Sequence, residues 1–169
     1  MNEYITIPLS KTGKHAGKYE TIISIEDADL AVLNWIRTHQ GYAQRSIGSR
    51  KNHKLVSMHR IILERMIGRP LTKGEEVDHI NRNGLDNRRE NLRLATSTQN
   101  NANQKIRSDN KSGVRGVSWS KGKQKWKAAI YIDKKQKHLG YFDDKELAKK
   151  VYDAAALAYF GEFYKSETS

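Results

Sequence analysis

The chain has no cysteine. That absence removes disulfides, zinc-thiolate sites and cysteine nucleophiles together, and it leaves the redox compartment unspecified. No stretch approaches the roughly 18 apolar residues that a membrane span needs. The N-terminal stretch is mixed polar, with no signal-peptide core, so the expectation is a soluble, cytoplasmic protein without a membrane partner. Apolar residues make up only 37% of 169, and the mean hydropathy is −0.82, so one large core is not expected. Acids are scarce as well: 19 against 31 lysines and arginines, a net charge of +12. Such a surplus suits a polyanion, with nucleic acid the first candidate. The surplus is uneven. Residues 1–43 hold four bases and five acids, residues 44–110 fourteen and seven, and residues 111–169 thirteen and seven. The first stretch therefore reads as structural and the other two as facing the partner.

Hydrophobic periodicity gives the elements. "YITIPL" and "YETIIS" read as strands joined by the turn-rich residues 10–18. "SIEDADLAVLNWIRTHQG" reads as one helix with Ser24 as N-cap, Asp27 at N3, and Leu30, Leu33 and Ile36 near one face. "KLVSMHRIILERMIG" starts as a strand, turns helical and ends at Gly68, with His59 in a structural role on its apolar part. "EEVDHI" and "LRLAT" are strands around the loop "NRNGLDNRREN", and Thr96 caps a helix "STQNNANQKIR". Strand, loop, strand and helix in so few residues bury little, which implies an element held by polar side chains or a metal. Residues 107–112 read as a linker. Beyond it, "RGVSWSK", "KWKAAIYI" and "KHLGYF" form an antiparallel meander. Asp143 and Glu146 then form a capping box for a helix whose apolar face is Leu147, Val151, Ala154, Ala155 and Ala158. In the middle strand Trp126 is expected to pack in the core.

Seven of the eleven asparagines fall between Asn81 and Asn103, in the segment that follows Asp78–His79. An imidazole can take a proton from water near neutral pH, and a carboxylate can hold a hard divalent cation. Placed at a strand end, where both can approach one centre, the two are the ingredients of metal-assisted phosphodiester hydrolysis.

The spacing around the pair adds to this. "LVSMHRIILERMIGRPLTKGEEVDHINRNGLDNRRENLRLATSTQNNANQ" closely resembles the HNH endonuclease family, above all its homing branch, through VDHI, the Asn-rich loop, ENLR and T-x-x-x-N. The resemblance implies a ββα-metal fold. It makes His79 the general base, Asp78 and Asn100 metal ligands, and Asn91 the brace that holds the loop and orients His79. Asparagine at position 100, where many relatives have histidine, suits Mg²⁺, with Mn²⁺ as an alternative, and not zinc. Asn81, Asn83 and Asn87 are read as loop-formers through side-chain turns, and Asn101 and Asn103 as facing solvent or DNA. Arg82, Arg88, Arg89 and Arg93 are candidate phosphate clamps.

Residues 113–163 resemble the Apetala family of plant ethylene-response DNA-binding domains, through RGV, a Trp in strand two, L-G-x-F and YDAAA. That resemblance implies a three-stranded sheet backed by one helix and lying in the DNA major groove. The matching contact residues are Arg115, Trp119, Lys125, Lys127 and Tyr131. The expected fold class is thus α+β: a small ββα-metal nuclease module plus a three-stranded antiparallel sheet packed on one helix. The expected divisions are 1–50, an N-terminal strand and helix segment; 51–106, the nuclease; 107–112, the linker; and 113–165, the DNA-binding domain. The expected activity is metal-dependent cleavage of double-stranded DNA at a specific site by a monomer, one strand per active site. No small-molecule cofactor is expected, and the source is a phage or mobile intron. The rival readings are a DNA-binding regulator without cleavage and an RNA-binding intron accessory protein.

Overall fold

β-Branched residues alternating with polar ones give Tyr4–Leu9 (β1) and Tyr19–Ser24 (β2), paired antiparallel from Tyr4 opposite Ser24 to Leu9 opposite Tyr19. Their inward parity buries Ile7, Leu9 and Ile23. In this computed structural model the structure describes residues 4–10, 16–49, 51–132 and 135–166; parts of the turns expected at 10–18 and 133–136 lie outside them. Internal contacts divide the chain into two compact units, Met1–Thr96 and Ser97–Ser169.

The segment after Ser24 is not the single helix its spacing suggests. A 3-10 helix, Ile25–Val32, is broken at Asp27, and the chain then extends into a short strand, Ile36–Arg37 (β3). Tertiary contacts override local propensity here. The Ser24 hydroxyl accepts from the Arg89 backbone N–H (2.9 Å) and makes no cap hydrogen bond. Asp27 is pulled fully into the interior by Arg65 and Arg89, while Val32 is left 79% exposed. Trp35 is buried with its indole N–H donated to the Leu30 carbonyl (2.9 Å).

A strand that periodicity did not mark, Ala43–Gly48 (β4), joins β3 to His53–Ser57 (β5) in a three-stranded antiparallel sheet. Met58–Ile67 (α1) follows at once and closes at Gly68, as expected. Glu75–His79 (β6) and Leu92–Thr96 (β8) pair antiparallel, with Asp78 opposite Arg93 and His79 opposite Leu92. Between them, the loop contains two residues of strand, Asp86–Asn87 (β7), which add in parallel to β2. α1 packs against β6, β7 and β8. One core, built from Ile7, Leu9, Ile23, Trp35, Met58, Ile62 and Leu92 among others, underlies this first unit.

The second unit opens with Ser97–Asn103 (α2), shorter than expected. Val117–Ser120 (β9), Lys125–Ile132 (β10) and Lys135–Phe142 (β11) form the antiparallel meander, and Lys145–Phe160 (α3) packs on it. The cap of α3 is Asp144, whose carboxylate accepts from the Glu146 N–H (2.9 Å); Asp143 instead pairs with Lys125. The buried face is also one position away from the expected one. Ala148, Tyr152 and Ala156 are buried, and Leu147 is 49% exposed. The apolar ring of Tyr152 fills the core where aliphatic counting had overlooked it. Trp126 packs against this core, as expected.

Candidate active site

β6 ends at His79, so the strand's last two side chains reach the beginning of the loop instead of being locked to opposite faces of a longer sheet. Both are buried, Asp78 at 2% and His79 at 6% exposure. Asp78 accepts from Arg93 Nε (2.8 Å) across the strand pair, and both side chains of this ion pair are largely shielded from water. Arg93, expected at a phosphate, is thus held against the carboxylate.

His79 is enclosed by rings. His59 lies edge-on to it (centroids 5.2 Å), and Tyr42 packs on both (5.8 Å to His79 and 5.1 Å to His59). The His59 ring forms one wall of the site. Its Nδ1 is buried and has no hydrogen-bond partner among the described residues. Burial, helped by the nearby His79 and Arg60, lowers the His59 pKa to about 3. Gly84 completes the enclosure: a Cβ there would sit 2.6 Å from the Tyr42 ring, so the Asn-Gly turn serves close packing as well as chain reversal.

The protonation state of His79 follows from its hydrogen-bond chain. Nε2 lies 3.2 Å from Asn87 Oδ1. The Asn87 amide nitrogen donates to Thr21 Oγ1 (2.7 Å), and the Thr21 hydroxyl donates to the Leu85 carbonyl (2.7 Å). With the amide oriented by Thr21, Oδ1 can only accept, so His79 carries its proton on Nε2 and its lone pair on Nδ1. Burial lowers the His79 pKa, with the Asn87 hydrogen bond and the charges of Asp78 and Asp86 acting the other way. The ring is therefore neutral near pH 7.

Asn91 holds the loop that follows. Its amide donates to the Asp86 carbonyl (2.7 Å) and to Asn81 Oδ1 (3.0 Å), and its Oδ1 accepts from the Asn81 N–H (2.9 Å). Asn81 and Asn83 make the side-chain turns expected of them, accepting from the N–H groups of Asn83 and Leu85. Asn87 does not: it is fully buried and partners Thr21 and His79, a correction to its reading as a loop-former. Thr21 carried a sequence signal, a polar side chain at the same inward parity as Ile23, which must find a partner. Nothing in the sequence marked Tyr42. Arg82 sits in the turn with φ 63°, its N–H donating to the His79 carbonyl (2.8 Å). Arg88 is committed to Asp86 and Glu90, and Arg89 to Asp27. Burial alone would raise the Asp86 carboxyl, but hydrogen bonds from Arg88 and Asn81 outweigh it and hold the pKa below the ordinary value.

In the second unit Asn100 lies half-buried on α2. Asn103 is buried (2%), which corrects its reading as a solvent or DNA contact. Arg115 is half-buried and donates to the Asn101 carbonyl (2.9 Å). The strand register divides the expected contact residues of the meander. Lys127 and Tyr131 share the face turned from the core, with Lys125 at its end and Tyr141 opposite Lys127. Trp119 stands opposite Trp126, on the helix-facing parity, at the exposed end of the edge strand.

Residues 56–102, which contain Asp78, His79, Asn91 and Asn100, match the family model described as HNH endonuclease. The chain is similar to Protein 3.8 of Escherichia phage T7, 36% identical over 83 residues, 49% of this chain and 69% of that one. It is also similar to an uncharacterized HNH endonuclease of Acanthamoeba polyphaga mimivirus, 35% identical over 108 residues, 64% of this chain and 55% of that one. A further 44 residues, 26% of this chain, are 48% identical to part of an ethylene-responsive transcription factor-like protein of Arabidopsis thaliana, where they cover 19% of its length. No solved structure matches the chain. Among the described residues no helix is long and apolar enough to cross a membrane. The family match spans the buried Asp-His pair and the asparagine that braces its loop, and the chain belongs to the HNH endonuclease family.

Proposed function

We propose that the protein is a metal-dependent DNA endonuclease of the homing type that cuts one strand per active site. The observation that carries this reading is His79: buried, with Nε2 in hydrogen-bond reach of Asn87, and next in sequence to the buried carboxylate of Asp78. An imidazole so fixed presents Nδ1 to a water and takes its proton as the oxygen attacks phosphorus. A positioned base of this kind contributes roughly 10²–10⁴ in rate. Asn91 keeps the loop, and with it the ring, in register.

HNH endonucleases imply a divalent metal ion. The donors suit a hard, well-hydrated one. Among the described residues no three histidines or carboxylates cluster to make an all-protein cage. Magnesium is commonly held by one or two carboxylates together with substrate phosphates, keeping several waters. Asp78 would hold it, with Asn100 of the T-x-x-x-N motif as second protein ligand, and Mn²⁺ would be tolerated. The ion would stabilise charge developing on the phosphate and on the leaving oxygen.

Residues 113–165 would add affinity and register, joined to the nuclease at 107–112, since tethering two weak binders raises avidity steeply. The face carrying Lys125, Lys127, Tyr131 and Tyr141 is basic and aromatic, which suits backbone contacts with some base-edge readout. The test is supercoiled plasmid incubated with the protein and Mg²⁺, with and without EDTA. Nicked circles that disappear with EDTA are expected. Cleavage that persists in EDTA would remove the metal from the account.

A further inference from the structure

The sheet β3–β4–β5 has a feature that the catalytic reading leaves unused. Its base is buried: Ala43 at the start of β4 is in the core, and β5 runs straight into α1. Its outer part is not. From Ser46 to Leu55 every described residue is exposed, including Ile47 (41%) and Leu55 (57%). The register sets Ile47 opposite Lys54 and Ser46 opposite Leu55, so adjacent pairs show opposite faces and both faces are uncovered. The outer half of β4 and β5 is thus a two-stranded ribbon standing clear of the core.

The tip is tightly built. Gly48 has φ 95°, and a Cβ there would collide with the Asn52 carbonyl, while the Asn52 N–H donates to the Ser49 carbonyl (3.1 Å). The ribbon is therefore preformed. Its charge is one-sided: between Asp29 and Glu64 the sequence carries six lysines and arginines and no acid. Two of the six, Lys51 and Lys54, are exposed on the described part of the ribbon and its tip.

Both roots of the ribbon touch the catalytic cluster. Tyr42, immediately before β4, and His59, two residues after β5, are the rings that wall His79. A phosphodiester brought to His79 therefore arrives at the foot of the ribbon. The three residues Ser46–Gly48 carry the paired ribbon about 10 Å beyond the core, and the major groove of B-DNA admits a two-stranded β-ribbon. We propose that the described residues of this ribbon, 46–49 and 51–55, form a basic arm that enters the major groove beside the scissile phosphate. Lys51 and Lys54 would meet the backbone, and Leu55, on the face opposite Ile47 and Lys54, the apolar base edges. The proposal rests on the reading of the His79 site as a DNA nuclease and adds to it a binding element outside the basic face of the meander.

The test uses the full chain, a random-sequence DNA duplex and EDTA, so that binding is read without cleavage. In Lys51→Gln/Lys54→Gln the slope of log affinity against log salt should be shallower than wild type by about 2, since each phosphate contact contributes about 0.9. The chain has no native cysteine, so Leu55→Cys carries a single photo-cross-linker, which should capture DNA. The same label on exposed Val32, as Val32→Cys, should capture far less. An unchanged slope, or no capture from position 55 above that from position 32, overturns the arm while leaving the nuclease reading intact. A wild-type chain that binds no duplex at any salt removes both.

Discussion

Asn87 Oδ1 lies 3.2 Å from His79 Nε2, and Thr21 holds the Asn87 amide from behind through a 2.7 Å hydrogen bond. A residue of the N-terminal hairpin thereby sets which nitrogen of the His79 imidazole carries the proton. The two residues of β7 pair in parallel with β2, Asn87 opposite Ile23, and this brings the Asn87 side chain within hydrogen-bond reach of both Thr21 and His79.

Replacing Asn87 by alanine should release the tautomer. Outer partners of this kind typically contribute about 10–100-fold in activity, and a loss in kcat of that size is expected with little change in DNA affinity. Nitrogen-15 chemical shifts of the His79 ring provide a readout independent of turnover. They should show the Nε2–H form in wild type and a mixture in Asn87→Ala. A single Nε2–H form in both would show that Asn87 does not select it.

Cleavage should depend on pH with a defined sign. A base at His79, as proposed, acts in its neutral form, so the rate should fall as pH drops through the His79 pKa, which burial places below the ordinary imidazole value of 6.5. The acid limb of the pH–rate profile should therefore be centred below 6.5. The Asn87 hydrogen bond works to raise that pKa, so the limb should move lower still in Asn87→Ala. A wild-type limb centred above the ordinary value would contradict the burial argument.

His59 ties stability to pH. Its folded-state pKa is lowered to about 3 from 6.5, so the unfolded chain binds the proton more readily. Stability from this group is intact above the unfolded pKa, declines as pH falls below about 6.5, and is fully lost only below the folded pKa. Unfolding free energies from urea titrations in EDTA should fall less steeply between pH 6.5 and 4 in His59→Phe than in wild type, by up to roughly 1.4 kcal/mol per pH unit. Parallel curves would mean that the His59 ring is not effectively desolvated.

How much of this was legible in the sequence varied with the range of the forces involved. β1, β2, β6, β8, α1 and the C-terminal meander follow from local pattern, because each buries one face against neighbours close by. Asp78, His79 and Asn91 were legible as positions of the matched motif, since a family resemblance attaches to spacing. The 3-10 break at Asp27 was not, because the arginines that draw Asp27 inward, Arg65 and Arg89, lie 38 and 62 residues away. Asn87 was hidden among asparagines that do form turns; its assignment depends on Thr21, 66 residues earlier. The α3 face was misplaced because Tyr152 was not counted in it, although its ring is mostly hydrocarbon and is buried.

Asp27 gives a test of the first unit's core. It is completely buried and accepts from Arg65 (3.1 Å) and Arg89 (2.7 Å), whose side chains reach water. Removing one partner of a buried ion pair costs about 3–5 kcal/mol, and Asp27→Ala should fall at the low end because both guanidiniums can rehydrate. Chemical denaturation measures it. A loss under about 1 kcal/mol, the range of surface pairs, would contradict the view that this triad forces the 3-10 break.

The most direct measurement is plasmid nicking by His79→Ala compared with wild type, in Mg²⁺, at protein concentrations where both bind DNA equally. The account predicts that wild type converts supercoiled circles to nicked ones, that EDTA stops it, and that His79→Ala loses at least ~100-fold in rate with DNA binding retained. Nicking at the wild-type rate by His79→Ala would contradict it.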